Sequence, residues 1–203
     1  MEGVRNIIFD LGGVLAGLDG QRCIDAFDAL GCEKVSYYVE YHLTEDLFYN
    51  IEVGNISTED FCDEVRRITG RNVSDEQIVW AWNQLLTGIS ERRLEKLLRL
   101  RGKYHLFLLS NTNDMHWQLC VDDFFTFRGN RVENFFDRIF LSYKMHLSKP
   151  SKDIYEEVLR QANIQPAETL FIDDSKTNIE GASPLGIQGY WNAHIDDWLA
   201  LDL

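Results

Sequence analysis

The chain has 203 residues, 45% of them hydrophobic, and its 33 acidic residues against 20 Lys plus Arg give a net charge of −13. That size and apolar content suffice for a full buried core, as one domain or as one domain with an insertion. The acidic balance, offset by no basic run, argues against nucleic acid as a partner and leaves the capture of any anionic substrate to local cations or a metal.

The first element is Asn6-Ile7-Ile8-Phe9-Asp10. This run is short and β-branched, so it reads as a buried parallel strand over 6–10 with Asp10 at its carboxyl end, where open α/β sheets place their chemistry. Gly12 and Gly13 follow where the backbone must turn sharply or approach a ligand. The interval 17–88 breaks with the strand pattern and is helical throughout, over 23–30, 37–49, 57–69 and 74–86. Ser57-Thr58-Glu59-Asp60 and Ser74-Asp75-Glu76-Gln77 carry capping-box patterns, and Gly17, Gly20 and Thr87-Gly88 are plausible hinges. Further strands are predicted at 104–110, 138–142, 169–173 and 187–191, with a helix over 151–162. The β-α alternation implies an α/β fold, a Rossmann-like parallel sheet with helices on both faces. Its core comprises residues 1–16 and 89–203, with the helical bundle 17–88 inserted after the first strand.

Asp10, Asp173 and Asp174 all fall at strand ends, which converge in a parallel sheet. Three bare carboxylates so gathered cannot all stay ionised. A divalent cation resolves the conflict, and an all-oxygen site suits Mg²⁺. The bland reading of Asp173-Asp174 is a cap on the following helix. Asn178, one helical turn past Asp174, is a candidate support. The four cysteines, Cys23, Cys32, Cys62 and Cys120, are widely spaced with no C-x-x-C pair and no His at zinc-ligand spacing. With no apolar signal region at the N-terminus, they predict free thiols in a reducing cytoplasm. No apolar stretch nears the ~20 residues that span a bilayer. Phe124-Phe125-Thr126-Phe127 and Phe135-Phe136 read as core packing, and the five histidines show no ligand pairing, although His116 and His146 flank the motifs.

Asp10-Leu11-Gly12-Gly13-Val14, Leu109-Ser110-Asn111, Lys149-Pro150 and Phe171-Ile172-Asp173-Asp174, in that order, resemble the signature of the haloacid-dehalogenase-like (HAD) hydrolase superfamily, most of whose members are phosphatases. Gly54-Asn55-Ile56-Ser57 and Asn178-Ile179-Glu180-Gly181-Ala182 make the resemblance closer to the branch that includes bacterial glucose-1-phosphatase and the N-terminal domain of soluble epoxide hydrolase. The resemblance implies that residues 17–88 are a mobile helical cap. It further implies that Asp10 ligates the metal with one oxygen, the Gly12 carbonyl with another and Asp174 with a third, while Asp173 acts through a bound water. The second Asp10 oxygen is then the nucleophile, forming an aspartyl-phosphate that water hydrolyses. Ser110 and Asn111 hold phosphoryl oxygens, and Lys149 sets a cation on the phosphate and on Asp10. Taken alone, Ser-Asn reads as a strand-end turn and Lys149 as a surface lysine.

One position departs from the pattern. Most family phosphatases carry an acid two residues after the nucleophile, and here that position is Gly12. The proton then comes from water, from Asp19, or is scarcely needed by the substrate. The expected function is a Mg²⁺-dependent phosphatase of small phosphorylated metabolites, sugar phosphates in particular. Two alternatives stand beside it. A metal-independent 2-haloacid dehalogenase does not require Asp173-Asp174, and a non-catalytic module binding a phospho-ligand or partner is kept open by Gly12. Oligomeric state has no signal in the sequence.

Overall fold

The computed structural model describes residues 3–40 and 47–203. Strand β1 (Asn6–Phe9) lies at the centre of a five-stranded sheet. Among the described residues it is followed by helices α1 (Gly20–Ala29), α2 (Glu33–Glu40), α3 (Leu47–Glu52), α4 (Thr58–Thr69), α5 (Asp75–Asn83) and α6 (Glu91–Leu100). Strand β2 (His105–Ser110), helices α7 (Asp114–Leu119) and α8 (Val132–Phe135), strand β3 (Arg138–Leu141) and helices α9 (Ser142–Met145) and α10 (Lys152–Ala162) complete one side. The chain then crosses to β4 (Thr169–Asp173), α11 (Lys176–Ala182) and β5 (Gln188–Trp191). All four pairings are parallel, in the order β3-β2-β1-β4-β5.

Period-two alternation splits the strands between two apolar layers. Ile7, Phe9, Leu106, Leu108, Leu170 and Ile172 face a core with Leu94 and Leu97 of α6, Phe125, Phe135 and Trp198. Ile8, Phe107, Leu109 and Phe171 face the other core, with Ile154, Tyr155 and Val158 of α10. Burial on both faces is why these strands read as continuous apolar runs. The aromatic stretch near Phe125 is core, as expected.

A third apolar cluster belongs to the helices between β1 and β2. It gathers Cys23, Phe27, Phe48, Phe61, Val65, Ile78 and Trp82, and takes in Met115 of α7. Phe48 stacks on Trp82 with centroids 4.9 Å apart. Both capping boxes are formed, Ser57 with Asp60 and Ser74 with Gln77. Of the helix expected over 37–49, residues 37–40 lie in α2 and 47–49 in α3, and positions 41–46 lie outside the described residues. Helix α5 stops at Asn83 rather than continuing to Leu86, because Leu85 and Leu86 close turns onto Trp82 and Asn83. Gly20, read as a hinge, is the first residue of α1. The two passages between this cluster and the sheet run side by side. Gly17 N–H donates to Gly88 O at 3.0 Å, Thr87 N–H to Gly17 O at 2.9 Å and Asp19 N–H to Leu85 O at 2.8 Å.

The four cysteines are buried free thiols. Among the described residues, no helix is long and apolar enough to cross a membrane.

Candidate active site

The sheet order fixes where the chemistry gathers. From β1 the chain builds outward through β2 and β3, then returns to the other side of β1 to lay down β4. The crevice at the carboxyl ends of β1 and β4 is therefore the topological switch point, where open α/β sheets bind their ligands. Asp10 ends β1, its N–H held by Ile172 O at 2.9 Å, and Asp173 ends β4.

Ligand oxygens of Asp10, Asp173 and Asp174 all lie within 4.8 Å of one another. Burial raises Asp10 above the usual carboxylate range; Lys149 opposes this, and Asp173 and Asp174 reinforce it. Asp174 is raised by the same combination of burial and Asp173. A set of oxygen donors that resist ionising together is the set a hard divalent cation stabilises. The loop after β1 is shaped around it. Gly13 has φ +69°, and a Cβ there would lie 2.2 Å from Asp174 Oδ2, so only glycine lets the loop approach the acid this closely. The Asp10 and Asp174 carboxylates suit Mg²⁺ as ligands on these grounds.

Asp173 is fully buried and committed elsewhere. Its Oδ1 accepts the Ser175 N–H at 2.8 Å and the Asn178 amide at 3.0 Å, and its Oδ2 meets the Lys149 ammonium at 2.7 Å. Asn178 thus supports Asp173 rather than Asp174, and its own carbonyl accepts the Tyr155 hydroxyl at 2.8 Å. Lys149 also lies 2.7 Å from Asp10 Oδ1 and donates to Leu109 O at 3.2 Å. Burial alone would lower this ammonium, but Asp10 and Asp173 outweigh it and hold it above its ordinary value. A lysine that sequence alone reads as surface is in fact 5% exposed.

Asn111 departs from expectation. Its amide donates to Lys149 O and its carbonyl oxygen accepts the Lys149 N–H, both at 2.9 Å. This two-way clamp uses the side chain to position Lys149. Ser110 is buried, with its hydroxyl 3.3 Å from Asn111 O. Asp19 is the N-cap of α1, accepting the Arg22 N–H at 3.2 Å. Beside it Leu18 covers Gly12, its Cδ1 lying 3.2 Å from where a Gly12 Cβ would stand.

Two supports, Asn192 and Trp198, escaped sequence reasoning. Buried Asn192 receives the Trp198 N–H, donates to Gly13 O at 3.2 Å and ties its own N–H to Asp173 O, bracing the loop against β4. Trp198 Nε1 donates to Val14 O at 3.0 Å. His116 is buried between Asn113 and Trp82 O, with its ring stacked on Trp82 at 5.0 Å; burial lowers it to about 4, so it is a neutral packing residue. His146 pairs through Nδ1 with Val53 O at 2.9 Å. No local motif marks these residues, whose partners are far away in sequence.

A family model described as haloacid dehalogenase-like hydrolase matches residues 4–186. Over 195 residues the chain is 29% identical to D-ribitol-5-phosphate phosphatase of Bacteroides thetaiotaomicron, covering 96% of this chain and 95% of that one. The crystal structure of a HAD family enzyme from the same organism, in complex with magnesium and inorganic phosphate, superposes with TM-score 0.89 at 42% identity over 93% of each chain. The structure of a HAD-like family hydrolase from Porphyromonas gingivalis superposes with TM-score 0.89 at 35% identity, covering 97% of this chain and 94% of that one. The chain belongs to the haloacid dehalogenase-like hydrolase family.

Proposed function

We propose that this protein is a Mg²⁺-dependent phosphatase that hydrolyses small phosphorylated polyols or sugars through a phosphoryl group carried transiently on Asp10. The observation that carries the reading is Lys149, bound at 2.7 Å to both Asp10 and Asp173 beside the Asp174 carboxylate at the switch point. The similarity to a D-ribitol-5-phosphate phosphatase over nearly the whole chain supports a phosphorylated polyol or sugar as substrate.

Mg²⁺ would be held by Asp10, Asp174 and the Gly12 carbonyl and would supply charge neutralisation for a phosphoryl dianion, while Asp173 holds Lys149 beside it. Asp10 Oδ1 is held by Lys149, which fixes the carboxylate and leaves its other oxygen to attack phosphorus in line. The Lys149 ammonium offers charge-assisted hydrogen bonding to a phosphoryl oxygen, and the Ser110-Asn111 backbone turn receives another. Water then releases phosphate from Asp10. A metal-independent dehalogenase has no need of Asp174 at Gly13, which is why the acidic cluster favours the phosphatase.

The helices of residues 17–88, with their own apolar cluster, we take as a cap over the strand ends that excludes water and selects small substrates. Purified protein should release inorganic phosphate from polyol and sugar phosphates in Mg²⁺. EDTA should stop release reversibly, and Asp10→Asn should abolish it with folding intact. Full turnover in EDTA, or in Asp10→Asn, refutes the mechanism.

A further inference from the structure

Helix α3 ends at Glu52, and the chain directly after it is fastened to the strand ends. Ser142 Oγ accepts the Thr112 N–H at 2.9 Å and lies 2.5 Å from Glu52 O, to which it donates. His146 Nδ1 meets Val53 O at 2.9 Å. At Gly54, φ +71°, a Cβ would lie 2.1 Å from Tyr143 O, so only glycine permits this approach. Thr112 adjoins Asn111, whose amide clamps Lys149. A continuous chain of short contacts thus holds the end of α3 in fixed relation to the candidate active site.

No pairing among the described residues accounts for the Glu52 side chain. Among the described residues, its carboxyl forms no hydrogen bond or ion pair, although burial pushes it up to about 7 and the Lys149 ammonium is the charge that opposes this. Glu52 is half-buried, and a carboxyl drawn out of water without a partner is costly, so its retention near Lys149 calls for a ligand or a reaction. In-line attack by Asp10 sets the leaving oxygen on the far side of phosphorus, away from the sheet and toward the helices over the strand ends. Asp19 accepts the Arg22 N–H as the N-cap of α1.

Resting on the phosphatase reading above, we infer that Glu52 is the catalytic acid and base of this site. Asp10 attacks phosphorus, the phosphorus–ester oxygen bond breaks, and the ester oxygen takes the Glu52 carboxyl proton to leave as an alcohol. Water then attacks phosphorus and gives its proton to the Glu52 carboxylate as the Asp10 oxygen–phosphorus bond breaks. Phosphate departs and both carboxyls return to their starting states. Gly12 needs no acid when the cap supplies one.

The test compares D-ribitol-5-phosphate with p-nitrophenyl phosphate in Mg²⁺, because nitrophenolate leaves without a proton. The ratio kcat/KM covers steps only through the first irreversible cleavage, so it isolates the donation. Glu52→Gln is nearly isosteric and breaks no described side-chain pairing. It should lower kcat/KM for the polyol phosphate by about 10²-fold or more, the range of general acid catalysis, and that for the nitrophenyl ester by less than about threefold. Glu52→Asp should recover part of the loss. Equal losses on both substrates, or none on either, overturn the role of Glu52 while leaving the phosphatase intact. A wild type inactive on both substrates refutes the phosphatase reading itself, and this inference with it.

Discussion

Replacing Lys149 with methionine tests the electrostatic logic of the site most directly. The ammonium is 1% exposed at its side chain and sits 2.7 Å from both Asp10 and Asp173. Methionine matches the stem in length and apolar character but leaves two carboxylates facing each other without a counter-charge. Removing one partner of a buried ion pair costs about 3–5 kcal/mol, a large part of the ~5–15 kcal/mol that holds a domain folded. Urea unfolding at pH 7 in EDTA should show that loss directly. Added Mg²⁺ should restore about 2.7 kcal/mol at a hundred times its Kd, because binding only the folded state stabilises it by mass action. The double variant Lys149→Met with Asp173→Asn removes one of the two anions and should recover most of the stability. It should not recover turnover, which falls about 10²–10³-fold when a preorganised charge is removed from a phosphoryl site. A Lys149→Met protein as stable as wild type in EDTA would refute the premise that this ammonium compensates the buried acids.

Two further outcomes follow from the geometry. The His116 ring is held neutral in the fold, lowered from 6.5 to about 4 by burial, so between those values the unfolded chain binds more protons and stability rises with pH. Going from pH 7 to pH 5 should cost about 2 kcal/mol through this group, and His116→Gln should flatten that slope; identical slopes in thermal melts would count against it. Gly13→Ala forces a left-handed alanine and drives its Cβ against Asp174, so Mg²⁺ affinity by calorimetry should fall roughly tenfold or more in a folded protein, whereas unchanged affinity would show that Asp174 is not a ligand.

The sheet was legible because its strands obey a simple rule: a segment covered on both faces is apolar at every position, and Ile7-Ile8-Phe9 and Leu170-Phe171-Ile172 say so without help. Asp10, Asp173 and Asp174 were legible for the same reason, being the first charges after such runs. The capping boxes at Ser57 and Ser74 rest on contacts three residues apart and could be read locally. What could not be read were roles set by distant partners. Asn111 looked like a ligand-binding amide, but it spends that amide on a residue 38 positions away. Asn192 is an ordinary strand-end asparagine until the fold brings Gly13 and Trp198 to it. Glu52 is one acid among 33 until the fold half-buries it within reach of the Lys149 charge.

The side-by-side passages at Gly17 and Gly88 also bear on how such an enzyme diversifies. The chain leaves the sheet and returns to it at nearly the same point, zipped by backbone contacts of 2.8–3.0 Å between segments that carry Gly17 and Gly88. Everything hung beyond that zip can be exchanged, lengthened or redrawn with little penalty for bringing its ends together. On the proposed reading of these helices as a cap, natural variation there rewrites which molecules are admitted while the strand ends go on cleaving the same bond. The apolar seam at Met115 and His116 is the part of the sheet domain that would have to change in step.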